Sequence, residues 1–310
     1  SSLLPQILAS NVWQMRMYGA RAAAILKDRD RLEALAADSD DNVVEAAIQG
    51  LAAVAGHAAD ARYVQALSRR GYQAVRAAAM ALEGSRSPET AVQPLKAALD
   101  RLVSEGHANS TDARSAISAA LTSIQPAPPP SKPARTAPAA RAASGTDGGA
   151  KPTIDMNVIL TGEALRRLAA PRARVTIAGV GSFELALFTA EAPATVLRFA
   201  NLAESGYYDG LTFHRVAPNF VIQGGSPDAN EYVGHADFMR DEVGLWPHVR
   251  GAVGISTRGR DTGDAQIFID LVDNPRLDHQ YTVFAQVLNG IEVIDRIVEG
   301  DLIEKVEIVP

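Results

Sequence analysis

The residues best suited to chemistry lie between Tyr207 and Pro227, in the run YYDGLTFHRVAPNFVIQGGSP. His214, Arg215 and Gln223 sit on two β-rich runs, LTFHRV and NFVIQ, and Phe220 opens the second. A guanidinium is always protonated and presents several donors in one rigid plane, so Arg215 could hold a carbonyl and polarise the group beside it. Each residue also has a plain structural explanation: a solvated arginine, a core phenylalanine, a glutamine before a turn and a hydrogen-bonded histidine. The pairs Asp261 with Asp264 and His235 with Asp237 could suggest a cation site. Carboxylates in a loop usually face solvent, and no cluster has zinc-ligand spacing, so neither metal nor cofactor is expected. The chain has no cysteine, which excludes a thiolate nucleophile, a thiolate zinc site and a disulfide framework.

The elements that must position these residues are short strands. Ala217-Pro218 turns the chain between the two runs, and Gly224-Gly225 closes the second. A period of two puts Val221 and Gln223 on one face and Ile222 on the other. In the same way Gln266 and Phe268 oppose Ile267 and Ile269, so two Gln–apolar pairs could line one groove. Around them, RVTIAG and SFELALF flank a Gly179-Val180-Gly181 hairpin signal, with Phe183, Leu185 and Leu187 on one face. A helix follows from Pro193, with Val196, Phe199, Ala200 and Ala203 on one stripe and a stop at Gly206. Further strands are predicted at 252–256, 266–270, 281–287 and 305–309, and a second helix at 291–298. Many strands and two helices suit a closed barrel plugged at its ends.

Three blocks occur in order: FHRxxxxFVIQGG preceded by YDG, then GISTRGRDTGDAQIFID, then LDHQYTVFAQV. Together they resemble the cyclophilin-type peptidyl-prolyl cis/trans isomerases. The resemblance implies a closed antiparallel β-barrel with two helices, cofactor-free isomerisation of X–Pro bonds, and proline-containing peptides or unfolded and partly folded proteins as partners. It implies catalytic positions at Arg215, Phe220 and Gln223. Phe220, Val221, Phe268, Leu277 and Tyr281 would grip the proline ring. Gln223 would anchor substrate backbone with support from Gln266, and Ser256 and Thr257 would pair with residues before the proline. His214 also matches, although the reaction needs no proton transfer and a structural role weighs equally. Three features depart from well-known members: Arg276 stands where many carry Trp, Ser256-Thr257 replaces an Ala-Asn pair, and PDANEYVG has fewer glycines than usual.

The rest of the chain is different in kind. From about Asn11 to Ile124 it is Ala-rich, with apolar residues at helical spacing. Four similar segments, NVWQMRMYGARAAAIL, DNVVEAAIQGLAAVAG, YQAVRAAAMALEG and TDARSAISAALTSI, align on Arg16, Glu45, Arg76 and Arg114 at intervals of 29, 31 and 38 residues. Shorter amphipathic runs at 30–37, 61–69 and 89–106 separate them, a pattern expected of an α-solenoid and similar to HEAT repeats, with an Ala-rich bundle as the alternative. Residues 125–152 form a Pro/Ala/Gly-rich linker of 28 residues, which at roughly 3.1 Å per residue spans at most ~85 Å. The expected organisation is therefore multidomain. An all-α HEAT-like repeat domain occupies 1–124 and the linker 125–152; the cyclophilin-like isomerase domain occupies 153–310, with its core from about 171 and a short helix expected at 163–169.

A net charge of −6 in 310 residues argues against a sequence-independent nucleic-acid binder or an anionic-membrane binder. No run reaches the roughly 18 apolar residues of a membrane span. The expected function is a folding-assisting proline isomerase whose repeats form a protein-binding platform. The alternative is a catalytically weak proline-peptide module or a scaffold. Absent cysteine, the Ser1-Ser2 start and the Pro/Ala linker lean toward a bacterial periplasm or envelope, with the cytoplasm as the alternative.

Overall fold

The computed structural model describes residues 4–124, 171–235 and 237–309. The chain divides into two compact units, Ser1–Lys151 and Pro152–Pro310. The linker at 125–152 and the expected helix at 163–169 lie outside the described residues.

The first unit is built from α1 (Leu4–Leu8), α2 (Trp13–Ile25), α3 (Arg29–Leu35), α4 (Asp41–Ala55), α5 (Asp60–Ala66), α6 (Tyr72–Ala81), α7 (Pro88–Glu105) and α8 (Thr111–Ile124). The four similar segments are α2, α4, α6 and α8, and each packs on the next. Small residues make that approach possible: Ala23, Ala47, Ala78 and Ala120 are fully buried. At Gly50 an added Cβ would come within 2.7 Å of Leu32 Cδ2 and 3.0 Å of Ala24 Cβ. The odd-numbered α3, α5 and α7 pack on α4, α6 and α8 in turn.

Arginines tie neighbouring helical segments together. Arg16 donates to both carboxylate oxygens of Asp38, at 2.7 and 2.8 Å. Arg69 reaches back to Asp41 and the Asp38 carbonyl, both at 2.6 Å. Arg101 reaches the carbonyls of Leu67 and Arg69 at 3.2 and 3.0 Å. Burial alone would raise the Asp38 carboxyl pKa, but the bonds from Arg16 and the Asp40 backbone hold it below its ordinary value.

The second unit contains β1 (Arg172–Ile177), β2 (Gly181–Leu187), α9 (Pro193–Glu204), β3 (Thr212–Ala217), β4 (Val221–Ser226), β5 (Ala252–Ile255), β6 (Ile267–Asp270), a 3₁₀ turn (Pro275–Leu277), β7 (Val283–Asn289), α10 (Ile291–Ile294) and β8 (Ile303–Val309). All neighbours are antiparallel, in the order β3-β4-β6-β5-β7-β2-β1-β8. The sheet curls until its two edges meet. Thr212 bridges Leu302, Gly210 N donates to Ile303 O at 2.9 Å, and Ile303 N donates to Leu211 O at 2.7 Å. Closure of this kind removes the exposed edges of an open sheet.

Phe183, Leu185 and Leu187 face the core, as their spacing predicts, together with Val196, Phe199, Ala200 and Ala203 of α9. The N-terminus of α9 carries no local capping side chain. Glu242 supplies one instead, accepting from Ala194 N at 3.1 Å and from Thr195 N at 2.7 Å, where a carboxylate also complements the helix dipole. Several expected bounds shift: the strand expected at 252–256 ends at Ile255, that at 266–270 begins at Ile267, and that at 305–309 begins at Ile303. The strand predicted from 281 begins at Val283. The helix predicted over 291–298 ends at Ile294, because Arg296 and Ile297 bond to residues three back, at 3.0 and 3.2 Å. These tighter 3₁₀ bonds turn the chain toward β8.

Candidate active site

The sheet register assembles one face. Arg215 on β3 pairs with Gln223 on β4, Gln223 pairs with Phe268 on β6, and Phe268 pairs with Gly254 on β5. Directly opposed residues share a face, so these side chains converge on a cavity of about 220 Å³. Arg215, Phe220, Val221, Gln223, Glu231, Ser256, Thr257, Phe268, Leu277 and Tyr281 line it. Their alternates Ile222, Ile267 and Ile269 point into the core.

Gln223 is the hub of the polar wall. Its Nε2 donates to Ser256 Oγ at 2.9 Å and to Gln266 Oε1 at 3.1 Å, which leaves Oε1 turned toward Arg215 Nη1 at 3.5 Å. The apolar wall is equally fixed. Phe268 meets Tyr281 edge-on at 5.6 Å and stacks on buried His248 at 5.6 Å with an interplanar angle of 13°. That ring can lie there only because β5 has no side chain at Gly254, whose Cβ would fall 2.4 Å from Phe268 Cζ.

A buried relay connects the two apolar sides of the cavity. His248 Nδ1 lies 2.9 Å from Asp270 Oδ2, and Asn274 Nδ2 donates to Asp270 Oδ1 at 2.6 Å and to Phe220 O at 3.1 Å. Leu271 N also donates to Phe220 O, at 2.9 Å. Phe220 follows Asn219, whose φ of 58° turns the chain sharply. Both arginines near the ring lie over it, Arg276 Cζ at 4.3 Å and Arg215 Cζ at 5.9 Å from its centroid.

Nine of the expected site residues line the cavity: Arg215, Phe220, Val221, Gln223, Ser256, Thr257, Phe268, Leu277 and Tyr281. Gln266 stands behind them as the partner of Gln223 and donates its own Nε2 to Val233 O at 3.3 Å. His214 is buried and is not among the lining residues. Pairing shifts register between Phe213 and Arg215, a bulge that sends Phe213 into the core and aims Arg215 at the groove. Glu231 was missed by sequence reasoning. It lies in a loop whose side chains follow no period, shaped by Asn230 Oδ1 accepting from Tyr232 N and Val233 N at 2.9 and 3.1 Å.

Two of the carboxylates weighed as cation ligands, Asp264 and Asp261, accept from backbone amides. Asp264 accepts from Ala265 N and Gln266 N, while Asp261 and Asp241 exchange backbone-to-side-chain bonds of 3.0 Å. His235 Nδ1 lies 3.0 Å from the Arg198 guanidinium.

Residues 172–309 match the family described as "Cyclophilin type peptidyl-prolyl cis-trans isomerase/CLD". A curated peptidyl-prolyl cis-trans isomerase of Helicobacter pylori is 40% identical over 156 residues, which span 49% of this chain and 96% of the relative. This chain belongs to the cyclophilin-type isomerase family. The cyclophilin-type isomerase domain is at residues 172–309, in the second unit, and the helical unit precedes it in the chain. Peptidyl-prolyl cis-trans isomerase B of Bacillus subtilis is 39% identical over 127 residues, covering 40% of this chain and 89% of that protein. Among solved structures, a cyclophilin type peptidyl-prolyl cis-trans isomerase of Cryptosporidium parvum aligns at 23% identity with a TM-score of 0.44, covering 46% of this chain and 98% of the other.

In this cyclophilin-type domain His214 affects stability through pH. Burial pushes its pKa from 6.5 down to about 4, a shift that a weak backbone contact from Thr212 opposes and the Arg215 charge helps. Between those two values the unfolded chain binds the extra proton, so stability falls as pH is lowered. The loss approaches about 3 kcal/mol at pH 4, at 1.36 kcal/mol per unit. Melting curves at a series of pH values should therefore drop more steeply for the natural protein than for His214→Phe. Equal slopes would refute the assignment.

Proposed function

We propose that the cavity binds an X–Pro segment and that Arg215 drives rotation of its amide. The observation that carries this is the convergence of one guanidinium, one tethered glutamine and an aromatic-walled cavity on a single face of the sheet. Rotation is slow because resonance gives the C–N bond a barrier of ~18–20 kcal/mol. A twisted amide loses that resonance, and its nitrogen regains a lone pair. Donors aimed at the nitrogen stabilise the twisted form more than the planar one, which is what lowers the barrier.

Phe220, Val221, Phe268, Leu277 and Tyr281 hold the proline ring still while the preceding residue turns. Gln223 grips substrate backbone, with its amide orientation set by Ser256 and Gln266. Ser256 and Thr257 pair with residues before the proline. No step moves a proton, so His214 has no part in the chemistry. Titrating isotope-labelled protein with a short Ala-Pro peptide should shift the amides of Ser256, Thr257 and Phe268. Shifts confined to other surfaces would reject the site.

The helical unit is read as a HEAT-like platform that brings protein clients to the isomerase, which thereby assists folding. The successive stacking of α2, α4, α6 and α8 supports a repeat architecture. Residues 153–310 alone should isomerise short peptides as well as the whole chain does. On a slowly folding protein client, removal of residues 1–124 should slow catalysis, because a tethered binding site raises local substrate concentration. Equal rates on both substrates for both proteins would remove the platform role.

A further inference from the structure

Arg276 is a cation without an assigned task. It sits in the 3₁₀ turn Pro275–Leu277, is exposed, and lays its guanidinium over the Phe220 ring at 4.3 Å. Its two acidic chain neighbours each direct one oxygen to a backbone amide. Asp273 Oδ1 accepts from Arg250 N at 2.8 Å, and Asp278 Oδ1 accepts from His248 N at 2.7 Å. Among the described residues, no hydrogen bond or ion pair to Arg276 is formed.

The setting makes this more than a stray surface charge. From 171 to 310 the chain carries 20 acidic and 11 basic residues, yet this end of the groove has two arginines on one phenylalanine. Stacking on Phe220 restricts the long side chain beside Leu277, another lining residue. A guanidinium ordered in advance loses less entropy on gaining a partner, and its planar fork fits a carboxylate with two parallel bonds.

We infer that Arg276 selects substrates bearing a carboxylate shortly after the proline. The direction rests on the proposed function of the groove, in which Ser256 and Thr257 hold the residues before proline, so that the chain leaves past Phe220 and Leu277. The preference belongs to binding. Arg276 attracts ground state and transition state alike, so the effect should appear in KM and not in kcat.

Two-dimensional exchange NMR on matched peptides tests this directly. One series carries Glu, Gln or Lys in the two positions after proline, and a second carries the same residues before it. For the natural protein, kcat/KM should favour Glu over Gln after proline by about three- to fivefold at low salt, the range of a part-exposed ion pair, and the ratio should shrink at high salt. The ratio should approach one in Arg276→Gln and invert in favour of Lys in Arg276→Glu. A ratio near one in the natural protein, or one that persists in Arg276→Gln, overturns the inference while the isomerase reading stands. A preference of equal size before the proline overturns the placement. Failure to exchange any peptide would reject both the reading of the groove and this inference.

Discussion

Arg215→Ala should lower kcat/KM for an X–Pro peptide by ~10²–10³, the usual cost of removing one preorganised donor from a transition state. The side chain is half-buried and its nearest polar contact, to Gln223 Oε1, is a long 3.5 Å, so the fold should survive and the loss should fall on turnover. Arg215→Lys should recover only part of it, since one ammonium cannot present the same fork of donors. The measurement is exchange NMR or a protease-coupled assay, paired with thermal melting of each variant. Near-normal turnover in a folded Arg215→Ala protein would eliminate the proposed mechanism.

Gly254→Ala should be nearly as damaging, although residue 254 contributes no side chain to the cavity. Its Cβ would lie 2.4 Å from Phe268 Cζ and 2.7 Å from Cε1, well inside contact distance, so the ring must move. Phe268 has little room to yield, being stacked on His248 and edge-on to Tyr281. A displacement near 1 Å in a positioning group costs on the order of 10² in rate, and overpacking costs about 1–3 kcal/mol of stability. The expected result is a ~10²-fold fall in kcat/KM with a modest drop in Tm. Adding Phe268→Leu to Gly254→Ala should restore stability without restoring activity. A fully active Gly254→Ala protein would show that the ring position does not matter.

Much of the groove was legible because β-strands have an exact period. Val221, Gln223, Gln266 and Phe268 fall on the face opposite Ile222, Ile267 and Ile269 by alternation alone, and the core takes those isoleucines. Alternation failed where the period breaks. It puts Phe213 and Arg215 on one face, whereas the bulge between them sends one to the core and the other to the cavity. The α2, α4, α6 and α8 helices were readable for a similar reason, since helices that pack closely in succession must each present a small-residue stripe and the stripe recurs in the chain.

Local sequence sets the order of elements, the face each strand shows and the residue types available to the groove. These follow from periods and turn chemistry that act over a few residues. What distant residues do to one another is settled only once the chain has folded. Glu242 caps a helix that begins 49 residues earlier, Gly254 makes room for the Phe268 ring, and Arg276 lies on Phe220 across 56 residues of chain. Glu231 enters the cavity from a loop without periodicity. Contacts of this kind depend on how the sheet closes and where its loops return, and no local pattern records either.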